Sequence, residues 1–343
     1  MGSGDVSAKT LVLFQGTPAE RALLLELEGE DFETVELDVA DWPESGSAQL
    51  EPVAKELGAK AHHRLDLRRE VYEQAILPLI HAGGFHRGDP LWTVAADAAA
   101  GAALGRFAEE LDGARVIGLV EAARALRYVA AGRLAGVEVE FDLRWGSGSG
   151  GELEALSRAG VLWGRRIEAE ELFEAESDEP FWGEVELDEV FGDDPLPGDA
   201  ELAEELELEF KQGAPVASMG TQDKGPALVR LLGKTGLRHA LGQGLVVCED
   251  EKGVRRRWAV SAPAATLIRV AHRALEEATL TREQLELKDS LVPRYLAGVA
   301  AGRWGAPDLR DVEAFLKSSQ ARVSGDVRLR LCQGTVQALG VRF

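Results

Sequence analysis

Cysteine is scarce: Cys248 and Cys332 are the only two in 343 residues. Two cysteines build no disulfide framework, and the chain reads as one made for a reducing compartment, the cytoplasm. Paired cysteine spacings of the zinc-binding kind are absent. His81 and His86 stand five apart with no carboxylate pattern around them, so no metal site is expected. No apolar run approaches the roughly 18 residues that a membrane-crossing helix needs, and the N-terminus lacks a basic stretch leading into an apolar one, so neither a membrane span nor a secretory signal is expected. Basic residues are missing from one long stretch. From Glu168 to Glu209 there are 19 acidic residues and no Lys or Arg, whereas the remainder holds 40 acids against 38 bases. Most of the net charge of -21 therefore sits in one segment. A sequence pI near 4.8 disfavours nucleic acid as a partner, because phosphate-backbone binding relies on clustered Lys and Arg. The acidic stretch reads as a solvated connecting segment, with docking of a protein partner as the alternative.

What is present is globular. Hydrophobic residues make up 45% of the chain, and its length corresponds to roughly two domains. In the first half, strand-like segments at Thr10–Phe14, Phe32–Val39, Ala61–Leu67, Val116–Leu119 and Val137–Phe141 alternate with helical ones at Glu20–Leu27, Leu50–Leu57, Arg69–His81 and Thr93–Leu111. Such alternation predicts a doubly wound parallel sheet with helices on both faces. The run Ala95–Leu104, interrupted by Asp97 and Gly101, reads as a buried helix. A Gly/Ser-rich stretch, Gly146–Gly151, predicts a loop near the end of this domain. Beyond it the pattern becomes α+β: strands near Leu206–Phe210, Leu245–Val247 and Trp258–Val260, helices at Ala227–Leu232, Thr266–Thr279 and Asp308–Arg322, and a terminal hairpin of Gly325–Cys332 and Thr335–Val341 turning at Gln333-Gly334. The boundary is placed between residues 160 and 161, giving domains 1–160 and 161–343.

Ligands of a doubly wound domain sit at the carboxyl ends of its strands. The first such turn is Gln15-Gly16-Thr17-Pro18-Ala19-Glu20. A phosphate cradle needs glycines and free backbone N–H groups. This turn has one glycine, Pro18 removes a donor, and Glu20 adds a negative charge. It reads as an ordinary strand-to-helix turn, with Gly16 as a degenerate phosphate-loop residue. Gly233-Lys234-Thr235 has the tail of a P-loop without its leading glycine. Gly242-Gln243-Gly244 reads as turn chemistry. Cys248 has no paired histidine and reads as a small buried residue.

Several blocks resemble argininosuccinate synthase, the ATP-dependent ligase that joins citrulline to aspartate. They are Leu57–Lys60, Ile76–Ile80, Leu162–Glu168, Ala271–Glu277, Lys288–Tyr295, Gly302–Trp304 and Val323–Leu329. They fall in order over nearly the whole chain. The resemblance implies an N-terminal nucleotide-binding-like domain of the PP-loop (adenine nucleotide alpha hydrolase) type, followed by an α+β synthetase and multimerisation domain.

The chemistry-bearing motifs depart from the resemblance. The family's SGGxDTS loop falls on Gln15 through Arg21, where only Gly16 is kept. The tyrosine that helps hold citrulline is Phe85. Thr93 is kept, but the arginine expected after it is Asp97. The glycine-rich segment that contacts ATP and both amino acids is replaced by Gly118–Tyr128, in which Arg127 matches a citrulline-binding arginine. In Leu162–Glu168, Arg165 and Glu168 are kept, and Arg166 replaces a citrulline-binding serine. A citrulline-binding glutamate and tyrosine fall on Cys248 and Val260. Phe85, Thr93, Arg127, Arg165 and Glu168 are thus the substrate-binding remnants. So many simultaneous losses imply a pseudoenzyme used for binding or assembly, needing no cofactor. ATP and Mg²⁺ would be required only if activity were retained. The alternatives are a repurposed enzyme or small-molecule binder using the same cleft, suggested by the charged newcomers Asp97, Arg124 and Arg166, and a slow synthase of arginine biosynthesis. The family extends past the final hairpin into an oligomerisation arm, while this sequence stops at Phe343. The expected assembly is a homo-oligomer, a dimer or altered tetramer built through the second domain.

Overall fold

A computed structural model describes residues 9–39, 50–111, 115–120, 122–134, 141–145, 163–167, 185–192, 194–197, 203–218, 221, 224–249 and 255–343. The chain forms two compact units. One comprises Met1–Val71, Val94–Ala159 and Gly302–Ala306, and the other Tyr72–Thr93, Gly160–Ala301 and Pro307–Phe343.

The first unit is built on five parallel strands: β1 (Thr10–Leu13), β2 (Phe32–Asp38), β3 (His62–Asp66), β4 (Arg115–Val120) and β5 (Phe141–Trp145), in the order β3-β2-β1-β4-β5. β1 is central, and Leu11, Val12 and Leu13 are buried on both of its faces, as a strand covered by helices requires. Helix α1 (Pro18–Glu26) starts with Thr17 as N-cap and Pro18 in its first turn, a position where the missing N–H costs nothing. α1 and α2 (Leu50–Glu56) contribute Leu23, Leu24, Leu27 and Ala54 to a core with Val12, Phe14, Phe32 and Ile117. Strand order reverses between β1 and β4, which creates a crevice at their carboxyl ends.

The periodicity predicts one helix over 69–81. The structure divides it into α3 (Arg68–Val71), a π-helical turn (Tyr72–Ile76) and α4 (Leu77–His81). Pro78 lacks the N–H that a continuous α-helix would direct at the Gln74 carbonyl, so the backbone widens there. Of the strand expected at 137–141 only Phe141 lies among the described residues, in β5 (Phe141–Trp145), where it stands opposite Val116 of β4. Residues 137–140 and the Gly146–Gly151 stretch lie outside the described residues. Helix α5 (Trp92–Glu110) is alanine-rich and buried, as its composition predicts. It lies close against α6 (Ala122–Leu134): a Cβ on Gly101 would stand 2.6 Å from the Tyr128 Cα.

The second unit holds two antiparallel sheets. The smaller joins β6 (Arg165–Ile167), β10 (Arg255–Ser261) and β9 (Gln243–Glu249) in the order β6-β10-β9, with the short helix α7 (Leu187–Phe191) packing Val190 and Phe191 against Ala259. The larger runs β12-β11-β7-β8, from β7 (Glu204–Lys211), β8 (Ala214–Ser218), β11 (Gly325–Cys332) and β12 (Thr335–Arg342). β7 alternates strictly, with Leu206, Leu208 and Phe210 buried and Glu205, Glu207 and Glu209 exposed. The terminal hairpin forms as expected, with Gln333 at φ 40° and Gly334 at φ 81°, the pair of left-handed residues that a type I′ turn needs.

Helices α8 (Pro226–Arg238), α9 (Pro263–Thr279), α10 (Arg282–Ala300) and α11 (Pro307–Ser319) complete the unit. Gly233-Lys234-Thr235 lies inside α8, with Gly233 and Thr235 buried, so it is helix interior and not a phosphate loop. α10 has no clear periodicity in the sequence, because it contains Pro293 and buries a lysine, Lys288. That lysine belongs to a buried polar network. Its ammonium and the Gln320 side-chain N–H (2.9 Å) both donate to Glu276 Oε1. His272 Nε2 lies 2.8 Å from Gln320 Oε1, and the His272 ring stacks on His81 with centroids 6.2 Å apart.

Candidate functional site

At the carboxyl end of β1 the chain turns through Gly16, whose φ is +87°. A Cβ there would also lie 2.5 Å from Leu50 Cδ2. The left-handed residue directs the N–H groups of Gln15 and Thr17 to one point, the arrangement of an anion-binding nest. The nest is filled from within. Glu20 Oε2 accepts from Gln15 N at 2.9 Å and from Thr17 N at 2.9 Å, and the Glu20 N–H donates to Thr17 Oγ1 at 3.3 Å. Glu20 is only 1% exposed. Thr17-Pro18-Ala19-Glu20 is a capping box, a signature legible in the sequence. Its side effect, closure of the nest, depends on the backbone path.

The charge reversal at Asp97 also has a partner. Arg127 Nε donates to Asp97 Oδ2 at 2.7 Å, joining α6 to α5, and Asp97 is 2% exposed. The aliphatic stem of Arg127 runs past Gly302, where a Cβ would stand 3.3 Å from Cγ. Arg127, which the resemblance matches to a citrulline-binding arginine, is thus paired with an aspartate where the resemblance leads one to expect an arginine. Separation of 30 residues hid this pairing from the sequence. Thr93 lies in the first turn of α5, and its side chain is outside the described residues.

A further group of residues meets in the second unit. His86 and Asp89 close a tight turn through two backbone hydrogen bonds of 2.9 Å. Trp163 is fully buried and donates from Nε1 to the Pro90 carbonyl at 2.9 Å, while Gly84 and Gly164 leave room for this packing. Phe85 precedes the turn and supports the Arg269 guanidinium, 5.4 Å above its ring. Asp89 Oδ1 accepts from Leu91 N at 2.8 Å, and its Oδ2 lies 3.3 Å from Arg166 Nε. Arg166 stacks over Trp258 at 4.8 Å. Arg165 is placed on β6 opposite Ser261, and Val260, opposite Arg166, is buried. Glu168 and the side chains of Arg165 and Cys248 are outside the described residues. Burial together with the neighbouring Arg87 charge lowers the His86 pKa.

Among the described residues no group of three or more His, Cys, Asp or Glu is arranged to hold a metal ion. His81 stacks on His272, while His86 joins the turn through its backbone. No helix is long and apolar enough to cross a membrane among the described residues. In the turn after β1 the N–H groups of Gln15 and Thr17 are already taken by the Glu20 carboxylate, so among the described residues this turn does not offer them to the phosphates of ATP.

A doubly wound parallel domain with a turn at its switch point, followed by an antiparallel α+β unit, defines a two-part α/β protein of nucleotide-binding ancestry. Residues 159–342 match the family described as Arginosuccinate synthase C-terminal domain. The chain is 30% identical over 360 residues to the argininosuccinate synthase of Dehalococcoides mccartyi, an alignment covering 98% of this chain and 86% of that protein. It is 27% identical over 319 residues to the argininosuccinate synthase of Methanocaldococcus jannaschii, covering 87% and 78% respectively. To the Rhodospirillum centenum synthase it is 38% identical over 137 residues, 40% of this chain and 34% of that one. The chain belongs to the argininosuccinate synthase family.

Proposed function

We propose that this protein keeps the argininosuccinate synthase scaffold without citrulline–aspartate ligase activity and acts by binding or assembly. The observation that carries this reading is Glu20. Ligase chemistry needs the ATP phosphates held beside the citrulline ureido oxygen by donors aimed at developing charge. Here the donors of the first turn are consumed by an internal carboxylate that is 1% exposed. Loss of a single such donor costs about 100-fold in rate, and the Arg127–Asp97 pair withdraws a second ligand from the same chemistry. The test is release of pyrophosphate from ATP in the presence of citrulline and aspartate, at high protein concentration. The expected result is none above background. Turnover that Arg127→Ala abolishes would overturn the reading.

A second reading, a small-molecule binder that reuses part of the cleft, is favoured by one observation. Arg166 is stacked on Trp258 and Arg269 on Phe85, so each guanidinium is held by an aromatic ring.

A further inference from the structure

The four-stranded sheet of the second unit buries one face and leaves the other wet, and the wet face is ordered by charge. β7 carries Glu205, Glu207 and Glu209 there, and the neighbouring β11 carries Arg328 and Arg330, all exposed. The pairing of the two strands sets Arg328 opposite Glu207 and Arg330 opposite Glu205. Residues so placed have Cβ atoms about 5 Å apart, close enough for opposite charges to join. They do not join here. Among the described residues none of these four side chains makes an ion pair or a hydrogen bond. The Arg328 guanidinium leans the other way, its Nη2 standing 4.0 Å from where a Cβ on Gly340 of β12 would be. A row of unpaired carboxylates therefore lies beside a row of unpaired guanidinium groups.

We propose that this face docks on the same face of a second copy of the chain, as an isologous pair. The proposal rests on the assembly reading of the proposed function and names the surface used. Charge complementarity selects the occupant. A two-fold axis running along the strands, midway between β7 and β11, turns the copy over and exchanges the two rows. The glutamate row of each copy then faces the arginine row of the other. Opposed residues keep their level along the strands, so Glu207 of one copy meets Arg328 of the other, and Glu205 meets Arg330. The symmetry makes each contact twice, and it closes on itself, so a discrete assembly results and not a fibre. A purely acidic partner would meet the glutamate row and a purely basic one the arginine row. A surface that holds both rows side by side satisfies both, and the chain supplies that surface itself.

The rest of the face permits the approach. Glu209 would meet Asp326, but Arg342 already donates to Asp326 at 2.9 Å, and Lys211 follows Glu209 on the same face. The outer strands carry small residues on this face, Ala214 and Ala217 on β8 and Gly340 on β12, so the charged rows stand highest. Sheets packed face to face lie about 10 Å apart, a gap that an arginine and a glutamate fill end to end. The net charge of -21 makes two copies repel, and a face that holds both signs is where they can meet.

The experiment is sedimentation equilibrium of the full chain, with light scattering for the mass. Expected in low salt is an oligomer whose dissociation constant rises about 10-fold or more in about 0.5 M NaCl. Arg328→Glu sets like charges against each other in both copies and should halve the mass at the same concentration. Glu207→Arg combined with Arg328→Glu restores opposite charges across the pair and should restore the mass. The same two variants at Arg330 and Glu205 repeat the test should the first set fail to fold, as judged by urea unfolding. A monomeric wild type would overturn both this proposal and the assembly reading. An oligomer that is insensitive to salt, that Arg328→Glu leaves unchanged, or that the double exchange does not restore would overturn the proposal alone.

Discussion

Acidification should loosen the second unit through two histidines. His81 is 7% exposed and His272 is 1% exposed. Burial, reinforced for His81 by the charges of His272, Lys288 and Lys317, lowers its pKa from 6.5 to about 3. Burial lowers His272 to about 4, against the opposing pull of Glu276 and the Gln320 hydrogen bond, with Lys288 and Arg273 adding to the lowering. Both are neutral in the folded chain, where the His81 Nε2 has no hydrogen-bond partner among the described residues. The unfolded chain takes up protons as the pH falls through 6.5, whereas the folded chain takes them up only near 4 and 3. The stabilisation is therefore complete above pH 6.5 and declines below it. Each pH unit of decline costs ~1.4 kcal/mol per histidine, so the pair loses ~3 kcal/mol by pH 5.5. A typical domain has about 5–15 kcal/mol in total, so the loss is a large fraction. Urea midpoints measured from pH 7.5 to 5.5 stay above most carboxylate titrations. His81→Phe keeps a ring over His272, removes one titrating group, and should remove about half of the slope. The reasoning is refuted if wild-type midpoints do not change across this window, or if His81→Phe retains the full slope.

Asp97→Ala should destabilise the first unit by about 3–5 kcal/mol, because it leaves the Arg127 charge unpaired in a mostly buried position; Asp97→Leu combined with Arg127→Met should cost clearly less, as read from urea unfolding. Gly101→Ala should cost about 1–3 kcal/mol by the same measurement, since the added Cβ meets Tyr128 backbone atoms at 2.6 and 2.8 Å, which cannot move aside like a side chain. Glu20→Ala removes both nest bonds and the capping box, and should lower stability by about 1–2 kcal/mol, whereas a change below a few tenths would mean that water replaces the carboxylate without cost. In light scattering at micromolar concentration the protein should be a homo-oligomer, a proposal consistent with Leu339 (42%) and Phe343 (76%) being exposed at the end of the last strand; a monomer would refute it.

Much of the fold was legible because local rules and global packing agree. Thr10–Leu13 is apolar without alternation, as a central parallel strand should be, and Leu206–Phe210 alternates, as a strand with one wet face should. Gln333-Gly334 names its own turn. The misreadings lie where tertiary context decides. The π-helical turn at Tyr72–Ile76 follows from one proline inside an otherwise helical pattern. The helix at Arg282–Ala300 hides behind a buried lysine whose partner, Glu276, lies twelve residues away on another helix.

The scarcity of cysteine, the concentration of acid between Glu168 and Glu209, and the altered residues at positions 15–21, 85, 97 and 166 belong to the sequence alone. They were enough to indicate the family scaffold and the lost motifs, because composition, order of blocks and residue identity need no coordinates. What the newcomers do is a matter of distance. Glu20 could have been an ordinary first-turn acid, Asp97 an unexplained reversal, and Arg166 a surface charge. Folding places Glu20 within 2.9 Å of two backbone N–H groups, Asp97 against an arginine thirty residues on, and Arg166 between an aspartate and a tryptophan from two other segments. Hydrogen bonds and ion pairs act over a few ångströms of space, and linear sequence does not record which residues come that close.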